Sequence, residues 1–310
     1  MRAPRMMVLD TASMYFRAFY GVPDSFVAPD GTPVNAVRGL LDFISRMVSD
    51  YQPTHLVCAW DNDWRPQWRV DLIPTYKAHR VEYVVAGAPD VEQVPDPLEL
   101  QVPIILDVLA ALGICVIGKD GYEADDVIGT LATGAGMPVD VVTGDRDLFQ
   151  LVDDAAGVRV LYIARGVSKH ERITDAVVRD KYGVAPGQYA DFATLRGDAS
   201  DGLPGVAGVG EKTAASLLRK FGDLAGIIAA TEDEEAEIAP GLRTKIRAAA
   251  DYLAVAPEVV AVARELDLGD PDTALPRTPV DRERLVELSD RWGLDSPLAR
   301  LVTALTDAHG

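Results

Sequence analysis

The sequence predicts an α/β protein with a central, mostly parallel sheet flanked by helices, followed by a region built of helices alone. Short apolar runs typical of buried strands alternate with helical periodicity up to residue 163. Three of these runs end at or just before an aspartate, and open parallel sheets place their sites at the carboxyl ends of strands. Because only helices and turns are predicted from Thr174 onward, we divide the chain into units 1–173 and 174–310.

The predicted elements follow one another in a regular order. Strands are predicted at 5–10, 55–60, 114–117, 139–142 and 158–163. Helices are predicted directly after residue 10 and at 35–51, 102–112 and 127–132. The alternation of strand and helix favours parallel pairing, since parallel neighbours need a crossover connection.

Residues 62–101 form an insertion of a different kind, with weak periodicity, mixed charge and a Pro/Gly-rich tract at 86–97. A long irregular segment of this sort in a compact domain is usually functional or disordered. We predict a partly helical arch that rises over the edge of the sheet. Its aromatic residues Trp64, Trp68 and Tyr76 either offer stacking faces for bases or pack the base of the insertion.

Two acidic clusters flank one helix and one strand: Glu123, Asp125 and Asp126 open the helix, and Asp145 and Asp147 follow the strand. Carboxylates at this density repel one another unless hard cations such as Mg²⁺ or Mn²⁺ neutralise them. Either cluster alone also suits ordinary structure, because acids favour the first turn of a helix and aspartate is common in turns. The sequence therefore predicts a metal site where the two clusters meet.

Asp10 and Asp61 end the first two predicted strands and are further candidates for the same site. Asp10 alone is equally consistent with a helix N-cap. With Asp145 after a third strand, the pattern predicts one shared edge of one sheet.

Composition sets limits on partners and compartment. The formal net charge is −18, which by itself argues against a nucleic-acid partner. The local distribution of the charged residues matters more than this sum. One basic segment contains Arg65, Arg69, Lys77, His79 and Arg80, and metal-bound carboxylates do not repel phosphate. Two cysteines, Cys58 and Cys115, lie in predicted strands without metal spacing, so reduced thiols in a cytoplasmic protein are expected. No apolar run of 18 residues and no signal peptide is present, so no membrane partner is expected.

Residues 195–213 combine Asp198 and Asp201 with a glycine-rich turn that leads into a helix at Glu211 or Lys212. Glycine lets backbone N–H groups approach an anion, and a helix N-terminus favours it. A phosphate-binding P-loop is excluded because Glu211 separates Gly210 from Lys212, and a dinucleotide fingerprint is excluded because position 213 is threonine. Two interpretations remain for residues 190–221. One is a helix–turn–helix hairpin that binds a DNA backbone, and the other is a purely structural αα-hairpin.

Taken together, these segments resemble the 5′ nuclease family of bacterial 5′→3′ exonucleases, flap endonucleases and the N-terminal nuclease domain of bacterial DNA polymerase I. The matching segments are VLDTASMYFRAF, AWD, PTYKAHR, GYEADDVIGTLA, VVTGDRDLFQLV and LRGDASDGLPGVAGVGEKTA. The resemblance implies a PIN-like 5′ nuclease core, with an arch at 62–101 and a helix-hairpin motif. Thr11 and Gly202 depart from residues frequent in relatives, and neither change removes an acid.

The resemblance also implies roles for individual residues. Ligands of a first metal are Asp10, Asp61, Glu123 and Asp125, with Asp126 close by, and ligands of a second are Asp145, Asp147, Asp198 and Asp201. Lys77 and Arg80 would act on the scissile phosphate, with Asp125 and Asp145 as the central catalytic carboxylates. DNA contacts are expected from Arg69, Tyr76, Lys77, Arg80, Gly205, Gly208, Gly210, Lys212 and Thr213. Two or more Mg²⁺ or Mn²⁺ ions are expected, with K⁺ at the hairpin.

The implied function is a structure-specific 5′ nuclease, a 5′→3′ exonuclease and 5′-flap endonuclease that removes RNA primers in replication and repair. Implied partners are DNA with a flap, nick or gap and RNA–DNA primer junctions, with functional coupling to DNA polymerase and ligase. We expect a monomer in the cytoplasm, associated with the nucleoid. The alternatives are a PIN-type RNA endonuclease, a non-catalytic binder of DNA junctions, and an acidic scaffold without a nucleic-acid role.

Overall fold

The structure is a computed structural model that describes residues 3–84 and 90–309. The strands, numbered in chain order, are β1 (Met6–Asp10), β2 (His55–Trp60), β3 (Val81–Tyr83), β4 (Val91–Glu92), β5 (Cys115–Gly118), β6 (Val139–Thr143), β7 (Val158–Tyr162) and β8 (Glu171–Ile173). Six of them form one sheet in the order β5-β2-β1-β6-β7-β8. Every pairing in this sheet is parallel except that of β7 with β8. The predicted mostly parallel sheet is therefore confirmed.

The helices, numbered in the same way, surround this sheet. They are α1 (Thr11–Gly21), α2 (Asn35–Tyr51), α3 (Gln67–Leu72), α4 (Asp96–Glu99), α5 (Val102–Leu112), α6 (Ala124–Gly134), α7 (Asp175–Tyr182), α8 (Tyr189–Arg196), α9 (Glu211–Phe221), α10 (Leu224–Glu232), α11 (Pro240–Ala248), α12 (Ala250–Val260), α13 (Arg282–Trp292) and α14 (Asp295–Asp307). Within the described residues, no helix is both long and apolar enough to cross a membrane.

The two faces of the sheet build two separate cores, because successive side chains of a strand point to opposite faces. Met6 and Val8 of β1 pack with α6 and with helices from α7 to α12. Met7 and Leu9 pack on the other face with α2, α5, α13 and α14. The helices beyond residue 174 thus cover both faces of the sheet, while the proposed boundary at 173/174 stays a prediction.

The insertion at 62–101 is partly helical, as predicted, and its helices are short. It contains the short helices α3 and α4, a single 3₁₀ turn at Ala78–Arg80 and the antiparallel pair β3–β4. Pro66 and Pro95 are the residues immediately before the two helices, and Pro74 follows α3 closely, so no long helix can propagate here. Part of the predicted Pro/Gly-rich tract, residues 86–89, lies outside the described residues.

Strand β8 is absent from the sequence prediction, which ends the strand pattern at residue 163. Its three residues pair antiparallel with β7 at the edge of the sheet. A strand of three residues gives too short an alternation to be distinguished from a loop.

Candidate metal and nucleic-acid site

The carboxyl ends of three neighbouring strands meet at one edge of the sheet. β1 lies between β2 and β6, with Asp10 beside Ala59 in the register. Asp10 is the last residue of β1, Asp61 directly follows β2, and Asp145 follows β6 by two residues. The shared edge expected from three strands that end near an aspartate is therefore confirmed.

Thr143, the last residue of β6, joins two of these acids. Its hydroxyl donates to Asp10 Oδ2 at 2.6 Å and accepts from the Asp145 backbone N–H at 2.9 Å. Asp10 Oδ1 also accepts from the Ser13 backbone N–H at 3.0 Å, so Asp10 is both the N-cap of α1 and part of the site. Thr143 is not among the predicted site residues, although its position directly before Gly144 and Asp145 makes it a neighbour of the site in the sequence.

The start of α6 supplies the second group of acids. Glu123 is the N-cap of α6, and its backbone N–H and side chain form a capping box with Asp126. Asp61 Oδ1 accepts from the Ala124 backbone N–H at 2.8 Å, which links the end of β2 to this helix. Asp125 follows in the first turn and forms no hydrogen bond through its side chain among the described residues.

These elements enclose a cavity of about 340 Å³. The acids that line it are Asp10, Asp61, Glu92, Glu123, Asp125, Asp145 and Asp198, and the basic residues are Lys77, Arg80 and Arg146. Burial and the nearby carboxylates Asp61 and Asp145 raise the pKa of Asp10 to about 7. Burial and the charges of Asp145 and Asp10 likewise raise the pKa of Asp125 well above its usual value. The cavity therefore favours bound cations, since both burial and mutual repulsion disfavour the bare carboxylates.

Asp198 and two further acids, Asp147 and Asp201, extend this group towards α8 and α9. Asp147 Oδ1 is buried without a hydrogen-bond partner among the described residues, and burial with the charge of Asp145 raises the Asp147 pKa well above normal. Asp198 accepts from the Ser200 backbone N–H at 2.8 Å, and Asp201 accepts from Arg80 Nη2 at 2.9 Å. Burial raises the pKa of Asp201 as well.

Glu123 differs from these acids because basic groups surround it. Its Oε1 accepts from Arg69 Nη1 at 2.9 Å and from the Tyr76 hydroxyl at 2.7 Å, and its Oε2 pairs with Lys77. Although burial favours the neutral form, Lys77 and Arg69 lower the pKa of Glu123. Glu123 is thus a charged, fully satisfied carboxylate.

Asp126 is also engaged, and the structure places it outside the cavity. It is 0% exposed and forms a two-bond ion pair with Arg69 at 2.8 Å for each bond, and Oδ1 accepts from the Ala263 backbone N–H at 2.9 Å. With its lone pairs used in this way, Asp126 ties α6 to the insertion and to the segment after α12. We therefore do not retain the expectation that it approaches a metal.

Two expected DNA contacts are buried in the same network. Arg69 is only 2% exposed and Tyr76 only 4%, and both donate to Glu123. Neither side chain presents a surface to DNA in this structure. The sequence does not predict this burial, because a cluster of basic residues has the same sequence pattern whether it faces solvent or buried carboxylates. Lys77 and Arg80 do line the cavity.

The predicted hairpin is formed by α8, the following turn and α9, which begins at Glu211 as expected. Gly208, Gly210 and Lys212 are exposed, and Thr213 is half-buried. Gly205 is buried with φ +64°, and a Cβ there would lie 2.5 Å from the Gly197 backbone N, so its role is close packing within the hairpin. Arg196 approaches Glu211 at 3.6 Å and Asp198 at 3.2 Å, which links the hairpin to the acidic cavity.

The chemistry of this donor set fits hard divalent cations. Asp10, Asp61, Asp125 and Asp145 form no ion pair with a basic residue among the described residues, and Asp147 has an unpartnered buried oxygen. Within residues 3–84 and 90–309, no three His, Cys, Asp or Glu side chains converge closely enough, as placed, to hold one ion. Hydrogen bonds to Thr143, Ser13 and Ala124 hold the acids at the wall of the cavity.

Comparison with protein families matches the chain to two consecutive models. Residues 5–183 match the N-terminal resolvase-like domain of 5′-3′ exonucleases, and residues 184–283 match the C-terminal SAM fold of 5′-3′ exonucleases.

Relatives and solved structures agree with these matches. The chain is 61% identical to a 5′-3′ exonuclease of Streptomyces coelicolor, with 97% of this chain and 100% of the relative covered. It is 51% identical to a 5′-3′ exonuclease of Mycobacterium tuberculosis, with both chains fully covered. It also resembles the bacteriophage T5 flap endonuclease in a pseudo-enzyme-product complex with DNA and metal ions, with a TM-score of 0.64 at 16% identity and coverage of 99% and 100%. This last likeness shows a shared fold.

Proposed function

The chain belongs to the 5′-3′ exonuclease family, and from this membership we propose that it is a structure-specific 5′ nuclease that hydrolyses phosphodiester bonds of DNA. The observation that carries the proposal is the convergence of Asp10, Asp61, Asp125 and Asp145 on one cavity at the carboxyl edge of the sheet. These acids come from four separate segments of the chain, and none is neutralised by a basic residue among the described residues.

We propose that two divalent ions, Mg²⁺ or Mn²⁺, bind to this cavity. The first ion would be bound by Asp10, Asp61 and Asp125, and also by Glu123 once its ion pair with Lys77 is broken. The second ion would be bound by Asp145, Asp147, Asp198 and Asp201. When bound, the ions supply an activated water and neutralise charge that develops on the phosphate.

The basic residues of the insertion complete the site. Lys77 and Arg80 border the same cavity as the acids and add positive charge where it develops on the scissile phosphate. Lys77, a residue that is only 8% exposed, pairs with Glu123. A phosphate that enters the cavity would compete with Glu123 for the Lys77 ammonium.

The hairpin is proposed to hold duplex DNA through its backbone. The exposed residues Gly208, Gly210 and Lys212 and the half-buried Thr213 place the N-terminus of α9 beside one ammonium. This arrangement contacts phosphates and carries no base recognition, so it suits an enzyme selective for structure. We also propose that a K⁺ ion binds at the turn of the hairpin.

The proposed substrates are DNA with a 5′ flap, nick or gap and RNA–DNA primer junctions, cut to leave a 5′-phosphate and a 3′-hydroxyl. We further propose a monomer in the cytoplasm, associated with the nucleoid and acting beside DNA polymerase and ligase in replication and repair.

Cleavage-site mapping on a 5′-flap duplex, a nicked duplex, a gapped duplex and single-stranded RNA tests the function. We expect Mg²⁺-dependent cuts near the junction of the flap, abolished by EDTA and restored by Mg²⁺ or Mn²⁺. Preference for single-stranded RNA would instead support a PIN-type RNA endonuclease. Tight, salt-dependent binding of the flap without cleavage in Mg²⁺ would support a non-catalytic binder of junctions.

A further inference from the structure

Thr143, the last residue of β6, lies where the proposed ligands of the two ions meet. β6 pairs with β1, and Thr143 directly follows Val142, which lies beside Leu9 in the register. Thr143 is 0% exposed, whereas the next two residues, Gly144 and Asp145, line the acidic cavity. Thr143 therefore contacts the site from the buried side of the cavity wall.

The hydrogen bonds of the Thr143 hydroxyl have one consistent arrangement. The Asp145 backbone N–H can only donate, so Thr143 Oγ1 accepts it at 2.9 Å, and the hydroxyl hydrogen is left for Asp10 Oδ2 at 2.6 Å. The distance of 2.6 Å is typical of a hydroxyl that donates to a carboxylate. Because threonine is branched at Cβ, few other rotamers compete with this one. The hydroxyl therefore holds groups from two distant segments of the chain in one geometry.

The two groups that the hydroxyl joins belong to different proposed ions. Asp10 is proposed for the first ion, and its other oxygen, Oδ1, accepts from the Ser13 backbone N–H at 3.0 Å. Asp145 is proposed for the second ion, and its Oδ1 accepts from the Asp147 backbone N–H at 2.8 Å. A chain of hydrogen bonds thus runs from a ligand of the first ion, through Thr143, to two ligands of the second.

The acids must move when they bind ions, which gives this chain of hydrogen bonds a consequence. As placed, no three His, Cys, Asp or Glu side chains in the described part of the protein converge closely enough to hold one ion. An ion that draws Asp10 into position also orders the Thr143 hydroxyl and, through it, the backbone at Asp145. Ordering at one site then reduces the conformational entropy that binding at the other site removes.

We propose that Thr143 is a positioning residue for both ions, and that its hydroxyl couples the two halves of the metal site. This inference rests on the proposed two-ion function. Thr143 does not bind an ion itself: it orients Asp10 towards the first ion and the turn at 145–147 towards the second. Loss of the hydroxyl should therefore weaken the binding of both ions, although the hydroxyl reaches the second site through a backbone N–H.

Binding of Mn²⁺ in the absence of DNA, measured by electron paramagnetic resonance of the free ion, tests this coupling. Thr143→Val replaces the hydroxyl with a methyl group of similar size, and we expect both Mn²⁺ affinities to fall about tenfold per folded molecule. Thr143→Ala removes the same hydroxyl with a smaller side chain and should give the same loss. Thr143→Ser keeps the hydroxyl and should bind both ions as the wild type does.

Stability separates this role from a purely structural one. Thr143→Ser loses a buried methyl group, so its Tm should fall while its Mn²⁺ affinities stay unchanged. Thr231→Val is the matched control, because Thr231 is 2% exposed, donates to the Ile228 carbonyl at 2.7 Å and lies on α10, outside the proposed sites. Its loss of a buried hydroxyl should leave both Mn²⁺ affinities unchanged.

Three results would overturn the proposed coupling. The first is wild-type affinity for both Mn²⁺ ions in folded Thr143→Val, and the second is a loss confined to one ion. The third is a loss of affinity in Thr143→Ser equal to that in Thr143→Val, which would assign the effect to packing. Wild-type protein that binds fewer than two Mn²⁺ ions would overturn the two-ion proposal together with this inference. Failure of the nuclease function is seen separately, as wild-type protein that does not cleave DNA in Mg²⁺.

Discussion

The acids at the start of α6 and at the ends of the strands have the same chemistry but fall into two groups with opposite surroundings. Glu123 and Asp126 accept from Arg69, Tyr76 and Lys77 in a buried network. Asp10, Asp125 and Asp145 have no basic partner among the described residues, and burial raises the pKa of Asp10 and Asp125. The comparison teaches that proximity in sequence does not define a site: Asp125 and Asp126 are consecutive, yet one lines the cavity and the other stabilises the fold.

The sharpest test of this difference is Asp145→Asn. We expect cleavage of a 5′-flap duplex in Mg²⁺ to fall by at least about 10³-fold, because the site loses a carboxylate that has no substitute. The free energy of unfolding without metal should be unchanged or higher, since the substitution relieves like-charge repulsion. Rate measurements and denaturant titration check the two parts. Asp251→Asn, at an exposed position on α12, is the control, and wild-type turnover by Asp145→Asn would contradict the assignment.

Asp126→Asn should produce the opposite result. It leaves the buried Arg69 guanidinium without its two-bond partner, so we expect the free energy of unfolding to fall by about 3–5 kcal/mol. Cleavage per folded molecule should stay within about tenfold of wild type, because Asp126 does not line the cavity. Urea denaturation and the rate corrected for folded fraction measure both. If Asp126→Asn were stable but inactive, Asp126 would have to be assigned to the metal site.

Addition of Mg²⁺ should stabilise the protein through the unpartnered acids. At an ion concentration of about 100 times Kd, the gain is about 2.7 kcal/mol for one site. Thermal unfolding should show a rise in Tm with Mg²⁺ in wild type and in Asp126→Asn, and a smaller rise in Asp145→Asn. An equal rise in all three would indicate that the ions bind elsewhere.

Arg80→Ala should have the smallest effect. Arg80 is about one-third exposed, and its pair with Asp201 contributes roughly 0–1 kcal/mol to stability. Cleavage should fall by about tenfold as phosphate stabilisation is lost. Arg179→Ala removes an exposed ion pair with Asp175 far from the cavity and serves as the control. Equal cleavage rates for Arg80→Ala and this control would show that Arg80 is not part of the proposed site.

Much of the fold was predictable, because the signals were local. The strand 55–60 and the helices 35–51 and 102–112 have the predicted bounds, since the apolar run of the strand and the helical periodicity are strong there. The short strands β3, β4 and β8 escaped prediction because two or three residues carry no period. The packing of α14 on α2 and of α13 on α5 also escaped prediction, since it depends on contacts between distant segments.

The candidate site was likewise predictable where the signal was local and not where it depends on tertiary contacts. Aspartates after successive strands predicted a shared edge, because parallel strands end on the same side of a sheet. Which acids acquire basic partners was not predictable, since Arg69 and Asp126 are 57 residues apart and meet only in the folded chain. The buried positions of Arg69, Tyr76 and Gly205 follow from the same tertiary contacts.

The contact between α2 and α14 has a consequence for synthesis on the ribosome. Arg38 donates to the Gly293 carbonyl and Arg300 to Asp42, across separations of 255 and 258 residues. At about 5–20 residues per second, the apolar face of α2 emerges roughly 10–50 s before its partner helix. During that interval Leu40, Ile44 and Met47 lack one of the surfaces that bury them. A nascent chain arrested before residue 295 should therefore be a better chaperone client than one released after residue 307.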